Sequence, residues 1–363
     1  MTRLVAVALL VLALVTAGSV AVAAFDGEES EASPAGPAPT PSAKPAAKKE
    51  QRQLGSGKPV VFAFGGDVHF EGVLEGKLAE SPSTVLSPIA PVLRQADLAV
   101  VNLETAVTNG GSAAVKEFVF RAPPAAFAAL RGGSVDVASL ANNHGMDYGV
   151  SGLRDSLAAA KRYRFPVVGA GLDAKRAYEP FTKTVNGQRI AIIGATQVLD
   201  DHLISAWTAG TGKPGLASAK EVPRLVQEVR RARASADTVV VFLHWGVESA
   251  TCPSDRQRRL ARALVSAGAD VIVGGHAHTQ QGTGRLGKAL VSYGLGNFVW
   301  YGTTEVSTRT GVLLVTATGR RIDDYRWVPA RISDGVPRPA TGAARRDALS
   351  GWRALRGCSG LRR

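Results

Sequence analysis

Short apolar runs separated by polar or glycine-rich turns recur along most of the chain and predict buried strands. They occupy residues 59–64, 98–102, 135–140, 166–169, 238–243, 271–273, 289–293, 312–317 and 325–328. Helices are predicted near residues 150–163, 219–235 and 256–267, and Asn186-Gly187 between two further runs favours a β-hairpin. Strands that alternate with helices early and pair as hairpins late predict a mixed α/β sandwich.

The two ends of the chain lack this pattern. Arg3 precedes an uncharged apolar run, and residues 1–25 predict a secretory signal peptide. That run is long enough to cross a bilayer, so an uncleaved signal anchor is the alternative. Residues 26–57, rich in Ala, Pro and Lys, predict a disordered linker. We expect an extracytoplasmic folded domain over residues 58–332, secreted or anchored to the membrane, and a basic, weakly structured tail over residues 333–363.

Charge and cysteine content add two open questions. The net charge is +13, but many arginines lie in predicted helices as solvated faces, and others crowd the tail. No aromatic residues interleave with the arginine runs, so nucleic acid is not expected as a partner, whereas a polyanion-binding tail stays open. Cys252 and Cys358 are the two cysteines of the chain. In an exported protein they can form a disulfide between the tail and the loop after residue 244, and two free thiols are the alternative.

Side chains with metal-ligand chemistry follow several of the predicted strands. They form the clusters Asp67-Val68-His69, Asn102-Leu103-Glu104, Asn142-Asn143-His144, His244-Trp245-Gly246 and Gly275-His276-Ala277-His278. Strand ends converge on one edge of a sheet, and imidazole with carboxylate suits a divalent ion of intermediate hardness. Each residue alone has an ordinary alternative, such as a capping asparagine, a surface glutamate or a core histidine. A histidine beside a metal, such as His144, can also protonate a leaving group.

The order of these motifs resembles that of the CapA family of capsule and poly-γ-glutamate biosynthesis proteins, relatives of the calcineurin-like metallophosphoesterases. The resemblance rests on Gly66-Asp67, Asn102-Leu103-Glu104, Asn142-Asn143-His144, residues 244–248, residues 275–278 and residues 294–298, and it covers residues 59–330. It implies a four-layer αββα sandwich of the metallophosphoesterase type, with a site for two divalent ions (Mn, Fe or Zn) at the strand ends.

The resemblance also implies a role for each site residue. Asp67, His69 and His278 would hold one ion, Asn143, His244 and His276 the other, with Glu104 as the bridge and His144 as the proton donor. Two departures stand out: Leu103-Glu104 replaces the Gly-Asp of the wider superfamily, and His69 is present although CapA-like chains often lack it. Further candidates for substrate contacts or for support of the ligands are Asn102, Asn297, Glu248 (beside His244, or a helix-start charge) and Arg121 (on an anionic substrate, or in a loop salt bridge).

Two functions follow as expectations. The first is an exported metal-dependent hydrolase that acts on a phosphoester or on an amide bond of an anionic polymer. The second is a membrane-anchored factor for capsule-polymer assembly or transport, which works with capsule-synthesis membrane partners and binds polymer without cleaving it.

Overall fold

The computed structural model describes residues 55–363, so the predicted signal segment and most of the predicted linker lie outside the described residues. The strands are β1 Val60–Val68, β2 Leu98–Leu103, β3 Ala106–Val107, β4 Arg121–Ala122, β5 Val137–Ser139, β6 Val167–Val168, β7 Ala170–Gly171, β8 Phe181–Val185, β9 Gln188–Thr196, β10 Gly215–Leu216, β11 Thr238–Trp245, β12 Val271–His276, β13 Thr283–Leu286, β14 Ala289–Ser292, β15 Asn297–Val299, β16 Arg309–Thr318, β17 Arg321–Ser333 and β18 Val336–Pro339. The α-helices are α1 Val73–Glu80, α2 Ala90–Leu93, α3 Ala126–Gly132, α4 Gly149–Arg162, α5 Ala174–Ala177, α6 Ile204–Trp207, α7 Val222–Ser235, α8 Asp255–Ala267 and α9 Gly342–Ala354.

Two large sheets contain most of these strands. The first has the order β18-β17-β16-β1-β2-β5-β6, with β15 also paired to β1, and the second has the order β13-β14-β12-β11-β9-β8. Strands β1, β2, β5 and β6 run parallel, as do β9, β11, β12 and β14. Parallel strands end at the same edge, so side chains that follow them can reach a common point.

Three apolar cores define four layers. Alternate residues of β1 face opposite ways: Phe62 and Phe64 lie in a core shared with strands of the second sheet, whereas Ala63 lies in a core shared with α1–α4. On the far side, β11 packs through Val241 against α7 and α8. The order is therefore helices, sheet, sheet, helices, as the sequence resemblance implies.

The C-terminal region corrects the expectation of a weakly structured tail. Residues 333–363 contain β18, α9 and a short 3-10 helix, Leu355–Cys358. Trp352 of α9 stacks on Trp327 of β17, with ring centroids 5.8 Å apart, and Cys252 forms a disulfide with Cys358. Trp352 is the buried residue of α9 and Leu349 packs partly buried against the same core, so the apolar face is short and lies among exposed arginines.

Across residues 55–363, no helix is both long enough and apolar enough to cross a bilayer.

Candidate metal centre

The predicted ligands meet at one edge, where the two sheets contact each other. Asp67 near the end of β1 is in register with Asn102 of β2 and Asn297 of β15, both on parallel strands. The second sheet places His276 opposite Trp245 on the parallel neighbour. The backbone N–H of His276 donates to Asp67 Oδ2 at 2.9 Å and so joins the two sheets at this edge.

Asp67 lies at the centre of the cluster and is fully buried. Its Oδ1 accepts a hydrogen bond from Asn102 Nδ2 at 2.8 Å. Its Oδ2 lies 3.5 Å from His278 Nδ1, which in turn lies 2.9 Å from Asn297 Oδ1. Asn297 thus orients His278 and leaves the Nε2 atom of that ring, 3.8 Å from Glu104 Oε1, for the site.

Glu104 and His244 form the other half of the cluster. Glu104 Oε1 lies 3.5 Å from His244 Nε2, and both side chains are buried. His244 Nε2 lies 2.7 Å from Asn143 Oδ1, and His244 Nδ1 lies 3.1 Å from Asn102 Nδ2. Within the described residues, ligand atoms that could hold one ion converge in the groups Glu104/His244/His276, Asp67/Glu104/His278 and Glu248/His276/His278.

Three buried ligand atoms in this region lack a hydrogen-bond partner within residues 55–363. They are His69 Nε2, Glu104 Oε1 and His276 Nδ1. Most buried polar atoms in proteins are hydrogen-bonded, so three orphans among imidazoles and a carboxylate indicate a cation-binding site. The imidazole, amide and carboxylate donors fit Mn, Fe or Zn.

Burial sets the protonation of these groups. It lowers the pKa of His69 and of His276 to about 3, and that of His244 well below its ordinary value. Burial also raises the pKa of Glu104 well above its ordinary value, and the neighbouring Asp67 carboxylate raises it further. Neutral imidazoles offer free lone pairs, and buried carboxylates without a paired cation are costly, so both effects favour a bound cation.

The backbone of the His276–His278 turn is strained. His276 has φ of 88° and His278 has φ of 51°, both in the left-handed region that residues with a Cβ rarely occupy. Such outliers cluster at functional sites, where the surrounding structure holds them in place. Here the His276 N–H bond to Asp67 and the His278 contact with Asn297 hold the turn.

Two glycines allow the chain to approach the cluster closely. A Cβ on Gly275 would lie 2.1 Å from Asp67 Oδ1, and one on Gly66 would lie 1.8 Å from Gly296 O. Gly296 O also accepts a hydrogen bond from the Asp67 N–H at 3.1 Å. A side chain at residue 66 would therefore displace the carbonyl that holds Asp67 in place. Both positions therefore require glycine for steric reasons.

Replacing Gly66 by alanine is expected to lower the free energy of unfolding by about 1–3 kcal/mol, because the atom that the new methyl group meets belongs to the backbone. Gly76→Ala is the matched control: it lies within α1 and a Cβ there meets nothing within 4 Å. The control should be neutral or stabilising by up to about 1 kcal/mol. Urea unfolding of both variants measures the difference, and equal midpoints would contradict the steric argument.

His144 lies beside the ligand cluster in a network of its own. Its Nδ1 is 2.6 Å from Asp147 Oδ2, which also accepts the Phe120 N–H at 2.6 Å, and the Phe120 ring stacks on His144. Burial lowers the pKa of His144, and the bond to Asp147 opposes that shift. Lys116 Nζ, almost fully buried, lies 3.1 Å from Asp147 Oδ1 and donates to Asn143 O at 2.5 Å.

His69 and Glu248 are the two remaining candidates near the ligand cluster, and their surroundings differ. The His69 ring packs among Phe120, Trp300 and Tyr301, with its unpartnered Nε2 buried. Glu248 lies beside His276 and His278, whereas the ring nitrogens of His244 contact Asn102, Asn143 and Glu104; the expected pairing of Glu248 with His244 is corrected.

Arg121 does not form the loop salt bridge considered for it. It is exposed at the start of β4, and its guanidinium lies over the Tyr148 ring, 4.8 Å from the centroid. Its backbone N–H donates to Glu71 Oε1 at 2.9 Å. The ion pairs found among residues 55–363 do not include it. Burial raises the pKa of the Glu71 carboxyl, and the charge of Arg121 opposes that shift.

Sequence reasoning named Asn142 within a motif without giving it a role of its own, and it missed Asp147 and Lys116. Asn142 is fully buried and holds three groups: its amide donates to Asn102 Oδ1 and Leu103 O, and its Oδ1 accepts the His144 N–H. Asp147, three residues after His144, could have been found from that spacing. Lys116 arrives from a loop without a recognisable motif, so no local signal points to it.

Comparison with known proteins gives the same family as the motifs. The family model described as "Bacterial capsule synthesis protein PGA_cap" matches residues 61–301. "PGA biosynthesis protein CapA" of Bacillus subtilis (strain 168) is 33% identical over 288 residues, which cover 76% of this chain and 73% of that protein. "Capsule biosynthesis protein CapA" of Bacillus anthracis is 34% identical over 271 residues, which cover 71% of this chain and 64% of that protein.

Solved structures show a more distant likeness. A putative 5'-nucleotidase from Staphylococcus aureus has 15% sequence identity and a TM-score of 0.49, covering 82% of this chain and 58% of that one. A hypothetical protein from Thermus thermophilus has 18% identity and a TM-score of 0.48, covering 75% of this chain and 100% of that one. The family model and the Bacillus relatives agree with the CapA-like motifs of the sequence. The chain belongs to the bacterial capsule synthesis protein family PGA_cap.

Proposed function

We propose that this protein is an exported hydrolase that uses two divalent ions to cleave a phosphoester or an amide bond of an anionic polymer. The observation that carries the proposal is the set of buried ligand atoms without a hydrogen-bond partner, His69 Nε2, Glu104 Oε1 and His276 Nδ1, two of which belong to the convergent ligand groups. A purely structural polar cluster would have paired these atoms with one another.

The convergent groups place Asp67, Glu104 and His278 together, and Glu104, His244 and His276 together. By the family resemblance, His69 would join the first group on one ion and Asn143, which contacts His244, would join the second group on the other ion. Glu104, which belongs to both groups, would bridge the two ions. When bound, such ions lower the pKa of a water molecule and neutralise charge on a substrate oxygen. Glu248, exposed beside His276 and His278, stands at the entrance to this arrangement.

Side chains of the protein itself would protonate the leaving group. Asp147 holds the Nδ1 side of His144, so Nε2 is the ring nitrogen left to deliver a proton to the departing oxygen or nitrogen. Lys116 balances the charge of Asp147 and ties the loop that carries it to Asn143. Phe120 packs between His144 and His69 and limits the access of water to both rings.

The substrate class and the compartment belong to the same proposal. Relatives named for PGA and capsule biosynthesis favour an anionic glutamyl polymer as substrate, and capsule-synthesis proteins of the membrane as partners. The apolar run before Asp26 and the Cys252–Cys358 disulfide both favour a location outside the cytoplasm, since disulfides persist in oxidising compartments. Membrane attachment would follow if that run is not cleaved.

Metal content tests the proposal directly. The purified full chain is expected to contain divalent metal by elemental analysis, and Glu104→Gln is expected to reduce the metal per chain, because it removes the bridging charge. Glu80→Gln, at the exposed end of α1, is the matched control and should retain the metal. A wild-type protein that contains no metal and takes up no added manganese would refute the hydrolase.

Activity assays then separate the two expected functions. Phosphomonoester, phosphodiester and γ-glutamyl polymer substrates are offered to the metal-loaded full chain, with and without a chelator. Chelator-sensitive turnover of one of them supports the hydrolase and names the bond. Bound metal without turnover of any substrate would instead assign the protein as a non-catalytic factor of capsule-polymer assembly or transport.

A further inference from the structure

An arginine-rich groove lies between α9 and β17. Its volume is about 480 Å³, and its charged lining consists of five arginines and one carboxylate: Arg326, Arg345, Arg353, Arg356, Arg363 and Asp324. The family model ends at residue 301, before β17 and α9 begin. The groove is therefore built by residues that neither the family motifs nor the metal centre use.

The positive charge of this groove exceeds its negative charge, because Asp324 is the one carboxylate among five lining arginines. The ion pairs of the described residues do not include Arg326, Arg345 or Arg353. Elsewhere arginines do find carboxylates, as Arg309 does with Glu305 at 2.8 Å. Five guanidinium groups with one carboxylate in the same groove create a positive potential that attracts an anion.

The groove is held in place by several independent contacts. Trp352 stacks on Trp327 between the helix and the strand. The disulfide from Cys358 fixes the chain just after α9, and Arg258 Nη2 donates to Cys358 O at 2.7 Å. The arginines are thus presented on a fixed surface, and ligand binding need not order the backbone first.

The lining favours a polymer with regularly repeated carboxylates. Arg345 and Arg353 are both exposed and lie eight residues apart on α9, about 12 Å along the helix axis. A guanidinium pairs with a carboxylate through two parallel hydrogen bonds, so spaced arginines suit spaced carboxylates.

Nucleic acid suits the groove less well. Single strands bind by stacking bases on exposed aromatic rings. Of the three aromatic residues of the groove, Trp327 and Trp352 are buried and stacked on each other, and Tyr325 alone is partly exposed, so the groove lacks a row of free rings.

We propose that the groove between α9 and β17 binds the polycarboxylate chain of an anionic glutamyl polymer, at a site separate from the metal centre. The choice of polymer rests on the proposed function, whereas the binding chemistry rests on the arginines themselves. The groove would hold the polymer on the protein through its arginines, whether or not the metal centre is intact.

Fluorescence anisotropy with labelled poly-γ-glutamate tests the proposal on the full chain. The double variant Arg345→Gln/Arg353→Gln is expected to raise Kd about tenfold, since two exposed charged contacts are lost. The matched control, Arg230→Gln/Arg346→Gln, removes the same charge from exposed positions that do not line the groove, and should leave Kd nearly unchanged. Equal weakening by both double variants would overturn the proposal in favour of general charge attraction.

Two further measurements separate this proposal from the metal centre and from nucleic acid. Chelated wild-type protein and Glu104→Gln should bind the polymer as tightly as untreated protein, even if hydrolysis is absent. Loss of binding in these two samples, with normal binding by the groove variant, would place the polymer at the metal centre and refute the groove. Displacement of the label by single-stranded DNA at lower concentrations than by unlabelled poly-γ-glutamate would overturn the choice of ligand.

Discussion

Alanine in place of His144 is expected to lower kcat of hydrolysis about 10²–10⁴-fold while leaving the metal content unchanged. The two effects separate because His144 is close to the ligand cluster without belonging to any of its convergent groups. Its Nδ1 contacts Asp147 at 2.6 Å, and its ring stacks on Phe120, so both the tautomer and the orientation of the ring are held by the protein. Such a ring can donate a proton without being a metal ligand.

The size of the effect depends on the leaving group. A substrate whose leaving group is already acidic, such as a nitrophenyl phosphoester, needs little protonation and should lose less activity than one with an alkyl leaving group. A merely structural defect would lower both activities equally. Kinetics with the two kinds of substrate therefore report on proton donation rather than on folding.

His202→Ala is the matched control for this experiment. His202 is exposed, and its ring contacts Val115 O at 3.1 Å, in a loop outside the ligand cluster. The control should retain wild-type kcat and metal. If His144→Ala hydrolyses both substrates at the wild-type rate, His144 is not the proton donor. If wild-type protein and His144→Ala both bind the polymer, in cells and in vitro, and neither cleaves it, the protein acts by binding.

Most of the site could be predicted because its residues sit where apolar runs end. The run that ends at Phe64 predicts a buried strand, Asp67 lies near the end of that strand, and parallel pairing with β2 brings Asn102 alongside it. The spacing of the apolar runs thus predicts which edge of the sheets carries the site. The order of the motifs predicts which side chains lie together at that edge. The sandwich followed from the same runs, since strands without alternation must be covered on both faces.

What could not be predicted depends on contacts between distant segments. Lys116 reaches Asp147 from a loop whose sequence has no periodicity, and its burial is decided by the tertiary structure alone. Glu248 follows His244 closely in sequence, yet it faces the two histidines of another strand end. Helix α9 buries Trp352 against Trp327 and Tyr325 of a distant strand, and its sequence, rich in exposed arginines, does not indicate that contact.

Replacing Cys252 and Cys358 together by serine is expected to lower the free energy of unfolding by about 2–4 kcal/mol. The disulfide closes a loop with a sequence separation of 106 residues, so it removes many conformations from the unfolded chain. The loss should appear first in the C-terminal region, because α9 buries little apolar surface of its own. Urea unfolding gives the global value, and hydrogen exchange of residues 342–354 gives the local one.

Wild-type protein treated with a reductant is the matched control, since it loses the bond but keeps both side chains. It should unfold at the same urea concentration as the double variant, and α9 should exchange faster in both samples. Faster exchange in α9 should also weaken polymer binding, because Arg345 and Arg353 would no longer be held opposite β17. Unchanged unfolding together with unchanged exchange would show that the Trp327–Trp352 stack and the strand pairing at Arg362 hold the C-terminal region without the disulfide.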